Sequence, residues 1–169
     1  MHPAQKFVSL GLLVAAIVFS AHAYARSDAA FMKEAAHAGA AEIEASKLAV
    51  AKAKNADVKA FANSMIADHT KVADELKALA ATKNVNLPDG ASVKQKAEIK
   101  LIDAGDNDKF DERYAKAFGI KAHEETIQLF EEASREAKDP EVKAWAQKTL
   151  PGLKHHLEMA KALPVAAKK

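Results

Sequence analysis

Along residues 58–79 apolar side chains recur at alternating steps of four and three: Val58, Ala62, Met65, Val72, Leu76 and Leu79. That spacing puts them on one stripe of a helix with 3.6 residues per turn. Position 69 falls on the same stripe, four after Met65 and three before Val72, and it holds a histidine. Two later segments repeat the arrangement. One runs Phe110, Tyr114, Ala117, Ile120, His123, Ile127, Phe130; the other runs Val142, Ala146, Thr149, Leu153, His156, Ala160, Leu163. An earlier segment is lined mostly by small residues, Ala36, Gly39, Ile43, Ser46, Val50 and Ala53, which lets a neighbouring helix come close.

The ends of these segments carry their own signals. "NADVKAFA" (Asn55 to Ala62) returns 84 residues later as "DPEVKAWA" (Asp139 to Ala146). In each copy Asn55 or Asp139 stands where a cap accepts orphan amides, and Asp57 or Glu141 complements the helix dipole. Pro140 fits a first helical position, where its missing N–H is no loss. The pattern predicts four helices over about residues 28–53, 56–82, 108–137 and 140–163, paired as two tight hairpins. Leu150-Pro151-Gly152 is expected to interrupt and bend the last of them.

Between the hairpins, Leu87-Pro88-Asp89-Gly90 reads as a turn, and Ser92 with Gln95 as a capping box for a short helix ending before Gly105. A connector of this length can run the length of a bundle. The fold class expected is therefore all-α: a ferritin-like four-helix bundle, two hairpins joined by a long crossover. An up-down-up-down bundle with one long loop is the alternative.

The first residues stand apart from this pattern. Lys6 precedes the uncharged run "FVSLGLLVAAIVFS", and Ala21-His22-Ala23 or Ala23-Tyr24-Ala25 has the spacing of a signal peptidase site. The expected organisation is a signal peptide over 1–25, a helical domain over 26–165 and a tail over 166–169. Cleavage near residue 23 or 25 would leave a periplasmic or secreted protein. About 14 apolar residues are too few to span a bilayer comfortably, and no later stretch is apolar enough to do so.

The 169-residue chain has no cysteine, so disulfide scaffolds and acylated lipoproteins are excluded, and stability must come from packing. Its formal net charge is +2 with both signs interspersed, which makes no basic stripe for nucleic acid. Nothing in the pattern stands against homo-oligomerisation, and no partner is identified by it.

Of the seven histidines, His69, His123 and His156 lie on the apolar stripes of three different helices. Glu42 borders the stripe of the first. Counted from the hairpin turns at about 1.5 Å per residue, all four sit roughly 18–27 Å from a bundle end, near its middle. One ligand-type residue per helix at one level is a metal-site arrangement, and imidazoles with a carboxylate suit Zn, Cu or Fe. A buried polar layer that fixes helix register and a solvent-filled pocket for a small ligand are the competing readings. A bundle that responds to pH through its buried imidazoles follows from the same pattern. His37 and His155 lie off the common level or on the flank.

Catalytic signatures are missing. Di-iron oxidases place Glu on two helices and Glu-x-x-His on the other two, whereas the one Glu-x-x-His here, Glu34 to His37, is on the first helix. No cysteine nucleophile, glycine-rich phosphate loop or serine elbow occurs, so the protein is not expected to be an enzyme. Trp145, in place of Phe61 in the repeat, reads as core.

The segments "AAHAGAAEIEASKLA", "VKAFANSMIADHTKVADELKALA", "AHEETIQLF" and "LPGLKHHLEMAKAL" resemble the secreted bacterial domain-of-unknown-function family 4142, often labelled putative outer membrane proteins. The likeness spans about residues 28 to 164. It implies a ferritin-like fold and marks Glu42, Asp68, His69, His123 and His156 as characteristic polar positions. It brings no established activity. No segment shows the alternation that a transmembrane barrel needs. The expectation is an exported helical bundle holding a transition metal through Glu42, His69, His123 and His156, with Asp68 supporting from behind. The alternative is a structural or interaction module, an envelope stress accessory by analogy.

Overall fold

The computed structural model describes residues 26–166; the expected signal peptide over 1–25 with its two candidate cleavage sites, and residues 167–169, lie outside the described residues. The elements are α1 (Asp28–Lys52), α2 (Ala56–Thr82), α3 (Val93–Ala104), a 3₁₀ turn (Asn107–Lys109), α4 (Phe110–Tyr114), a π-helical stretch (Ala115–Lys121), α5 (Ala122–Glu136) and α6 (Pro140–Ala162). The protein is all-α, and no strand occurs among the described residues. Because α4, the π stretch and α5 are contiguous, they form one long rod.

The helix starts are fixed by side chains, as the sequence implies. Asn55 accepts from the amides of Asp57 and Val58, and Asp139 from those of Glu141 and Val142. Ser27, which the pattern did not single out, caps α1 through Ala30 N. Ser92 and Gln95 form the reciprocal capping box of α3. Ahead of it Gly90 has φ +90°, a left-handed conformation that a side chain would strain.

Two aspartates lock the hairpins to one another. Asp111, in the first turn of α4, accepts from Lys54 N (3.1 Å) and Asn55 N (2.7 Å), the turn between α1 and α2. Asp28, in the first turn of α1, accepts from Lys138 N (3.1 Å) and Asp139 N (2.7 Å), the turn between α5 and α6. Each hairpin thus caps the turn of the other, and α1 must lie antiparallel to α5. Lys83, just past α2, pairs with Asp139 at the start of α6 (2.7 Å), while Lys52 at the end of α1 pairs with Asp103 of α3. The connector therefore leaves at the Asp139 end and reaches the opposite end. Around the long rods, α1 packs on α2 and α5, and α6 packs on α5 and α2.

The apolar interior divides in two. One cluster gathers Ala45, Phe61, Met65, Phe110, Tyr114 and Phe118; the other gathers Phe31, Leu76, Phe130, Trp145 and Leu153. Each buried aromatic side chain contributes about 2–3 kcal/mol by leaving water. Trp145 is core as expected, packed on Phe31 and Phe130. Along every rod the residues between these clusters are polar and buried: Glu42, His69, His123 and His156.

Three expectations need correction. The last helix is not interrupted: α6 runs unbroken through an exposed Pro151. The buried stripe of α1 is Ala41, Glu42, Ala45, Ser46 and Ala49, so its phase differs from the one predicted and Glu42 lies within it. The third rod is not one plain α-helix. The π stretch widens the turn and rephases it, burying Ala115, Phe118 and Gly119, whereas Ala117 and Ile120 are half-buried. Gly119 is needed there: a Cβ on it would lie 3.0 Å from the Cβ of Ala160, so α6 comes close at this level.

Candidate metal centre

Glu42 reaches the centre from α1, His69 from α2, His123 from the start of α5 and His156 from α6. The ring centroids stand 5.5 Å (His69–His123), 5.2 Å (His69–His156) and 5.6 Å (His123–His156) apart. One nitrogen from each of the three imidazoles lies within 4.8 Å of the other two. Three such points fall within about 2.8 Å of a common centre, so inward shifts of about 0.7 Å would bring them to Zn–N distance. Glu42 sets its Oε2 2.9 Å from His69 Nε2 and its Oε1 3.7 Å from His123 Nδ1. The four predicted side chains thus meet.

Outer contacts decide which nitrogen of two rings faces inward. His123 Nδ1 lies 2.9 Å from the Phe118 carbonyl, which can only accept, so Nδ1 carries the proton and Nε2 offers its lone pair. His156 Nε2 lies 2.9 Å from Asp68 Oδ2, which leaves Nδ1 as the lone-pair atom. A metal-binding histidine characteristically donates its other N–H to a carbonyl or carboxylate in this way. Asp68 stands behind His156 through this one contact. The Phe118 carbonyl was not foreseen. It belongs to the π stretch, where backbone bonds reach five residues back, as from Ala122 N to Ala117 O.

The inward atoms lack hydrogen-bond partners. Both carboxylate oxygens of Glu42, Nε2 of His69, Nε2 of His123 and Nδ1 of His156 are buried with no hydrogen-bond partner among the described residues. His69 Nε2 and Glu42 Oε2 are close enough to attract but not aligned as a hydrogen bond. Unpaired buried polar atoms are destabilising, each by about 1–3 kcal/mol. Five gathered in one layer call for an explanation.

Charge is partly balanced inside the layer. Burial alone would raise the Glu42 pKa, but the facing imidazoles, His69 first, hold it below its ordinary value. Burial likewise disfavours a charge on His69, and the Glu42 carboxylate overrides it, raising the His69 pKa. His156 goes the other way. Burial lowers its pKa, and its neighbours His69 and His123 add to that against the opposing hydrogen bond that His156 donates to Asp68. Next to the layer Tyr114 and Ser46 share a buried 2.8 Å hydrogen bond, and burial pushes the phenol well above its usual range.

The remaining histidines stay outside. His37 Nδ1 bonds the Gly90 carbonyl (2.8 Å) and Glu34 pairs with Arg26, so the lone Glu-x-x-His does not join the centre. His155 is exposed beside His156.

A family model described as "Domain of unknown function (DUF4142)" matches residues 16–163, which is most of the chain. The chain belongs to that family. No curated protein and no solved structure matches it. For this DUF4142 member the site therefore has to be read from its own geometry. No helix among the described residues is long and apolar enough to cross a membrane.

Proposed function

We propose that this DUF4142 protein is exported and binds a divalent first-row transition metal at mid-bundle, through His69, His123, His156 and Glu42. The observation that carries the reading is the convergence of three buried imidazole nitrogens and a carboxylate that have no hydrogen-bond partner, with the His156 ring fixed from behind by Asp68 and the His123 ring by the Phe118 carbonyl. Three nitrogens and a carboxylate suit Zn, Cu(II) or Fe(II) better than a hard cation such as Ca or Mg. The role is one of holding a metal rather than catalysing a reaction. Export rests on the leader, and the ferritin-like assignment on the crossover that runs between opposite ends.

The Glu42–His69 contact favours a second reading, in which a buried ion pair and its two neighbouring rings fix helix register with no metal. Metal analysis of the protein purified without a histidine tag separates the two. On the first reading close to one metal ion per chain is retained, or is taken up from Zn(II) or Cu(II) with a rise in Tm, and His69→Ala with His123→Ala abolishes the rise. An unchanged melting curve across metals, with no metal in the purified protein, selects the second.

A further inference from the structure

The centre is buried, yet it is not sealed. Between α2 and α6 runs a groove of about 290 Å³ with both His69 and His156 in its lining, two of the three imidazoles. His156 is 6 % exposed, and its Nδ1 has no partner. Asp68 and His155 line the same groove, and both are exposed. Asp68 holds His156 by its Nε2, and the His155 ring centroid is 6.4 Å from that of His156. Two ligand-type side chains that face water therefore stand beside two that face the core.

Gly152 also lines this groove, from the interior of α6. Glycine weakens a helix interior, so its presence needs a reason. Close packing supplies that reason at Gly119, where a Cβ would press on Ala160. It does not at Gly152, where a Cβ would meet nothing within 4 Å. What Gly152 leaves is open space on the wall of the groove that His69 and His156 also line.

We infer that the α2–α6 groove is the route by which a divalent metal ion reaches the buried centre, with Asp68 and His155 as capture ligands at its mouth and Gly152 keeping it clear. The inference rests on the metal-binding reading and adds a path to it. An arriving hydrated cation exchanges water for the Asp68 carboxylate and the His155 imidazole before it passes inward to His156 and His69. A second groove, between α1 and α2, also reaches His69, and Gly39 lines it with a similarly open Cβ position. It reaches only His69 of the three imidazoles, where the α2–α6 groove reaches two, so it is the lesser approach.

Stopped-flow uptake of Co(II), followed by its visible absorption, tests the route on the mature chain. Gly152→Leu should slow uptake at least tenfold, and His155→Ala about threefold, both with the parent's final stoichiometry. Gly39→Leu should bind at the parent's rate. Circular dichroism and melting curves confirm that each variant is folded; if Gly152→Leu is not, Gly152→Gln and His155→Ala carry the test. Full binding at an unchanged rate in the groove variants, or slowing confined to Gly39→Leu, overturns the route and leaves the metal centre standing. Absence of any Co(II) uptake by the parent chain overturns the metal-binding reading and the route with it.

Discussion

Nε2 of His69 lies 2.9 Å from Oε2 of Glu42, with only 3 % of either side chain exposed. The pair joins α1 to α2 in the layer that separates the two apolar clusters. Burying both charges removes their hydration, and attraction between them offsets that only while both are present. In the metal-free protein, His69→Ala should lower stability by about 3–5 kcal/mol, because a carboxylate is left buried and uncompensated. Replacing both residues, Glu42→Leu with His69→Leu, should cost less than the two single changes together. Urea unfolding of the four proteins measures this, and strict additivity would mean the pair does not interact.

The same pair sets a pH dependence whose sign can be worked out. The Glu42 pKa is lowered from 4.5, so its contribution is present above that pH and is lost as pH falls through the folded value. The His69 pKa is raised from 6.5, so its contribution is full below that pH and is lost as pH rises through the folded value. The interaction energy from a Glu42→Gln/His69→Gln double-mutant cycle should therefore be greatest between pH 4.5 and 6.5 and decay on either side. His156, lowered from 6.5, acts oppositely to His69: the unfolded chain takes up a proton that the folded one refuses, so its contribution falls as pH drops below 6.5. Metal reverses the trend at His69, since the ligand must be neutral. Zn(II)-induced stabilisation should thus grow from pH 5.5 to 7.5. A metal effect that is flat over that interval would contradict His69 as a ligand.

How far the sequence foretold this layer depended on the helix. In α6 every residue of the predicted stripe from Val142 to Ala160 is buried, and so is Leu163 at the cap just beyond it, because an unbroken α-helix keeps a constant angular step. In α2 the stripe also holds, with Val72 and Leu79 half-buried. The rod containing His123 departs from the rule since a π turn changes the step, and no residue type announces one. Alanine is equally at home on a buried or a half-exposed face, so in α1 the phase is poorly marked. Glu42 looked peripheral there, though its spacing along the rod still gave the right height. The Asp28 and Asp111 contacts join residues 111 and 56 apart in the chain, and no local pattern encodes them.

Asp68 is exposed over 57 % of its side chain, yet its bond to Nε2 dictates which nitrogen of His156 faces inward. Removing such an outer partner typically lowers metal affinity 10–100-fold. Asp68→Ala should do so in a Zn(II) competition titration, with the fold intact because the residue borders solvent. Unchanged affinity would show that His156 keeps its orientation, or its place in the site, without help.

The reciprocal caps allow a test of how the layer is kept level. Asp111 holds the α1–α2 turn and Asp28 the α5–α6 turn, at opposite ends of the rods. Each accepts two backbone amides from the other hairpin, so each fixes where one hairpin stands along the other. Asp111 is 9 % exposed, and Asp111→Ala would leave those amides without their acceptor, a loss of about 1–3 kcal/mol. Asp28 is half-buried, and Asp28→Ala should cost about 1 kcal/mol. Sites this far apart with no shared partner should add. If the caps also set the height at which Glu42 meets His69 and His123, the double variant should lose more Zn(II) affinity than either single variant. Additive stability with unaltered affinity would locate control of the level elsewhere than in these two caps.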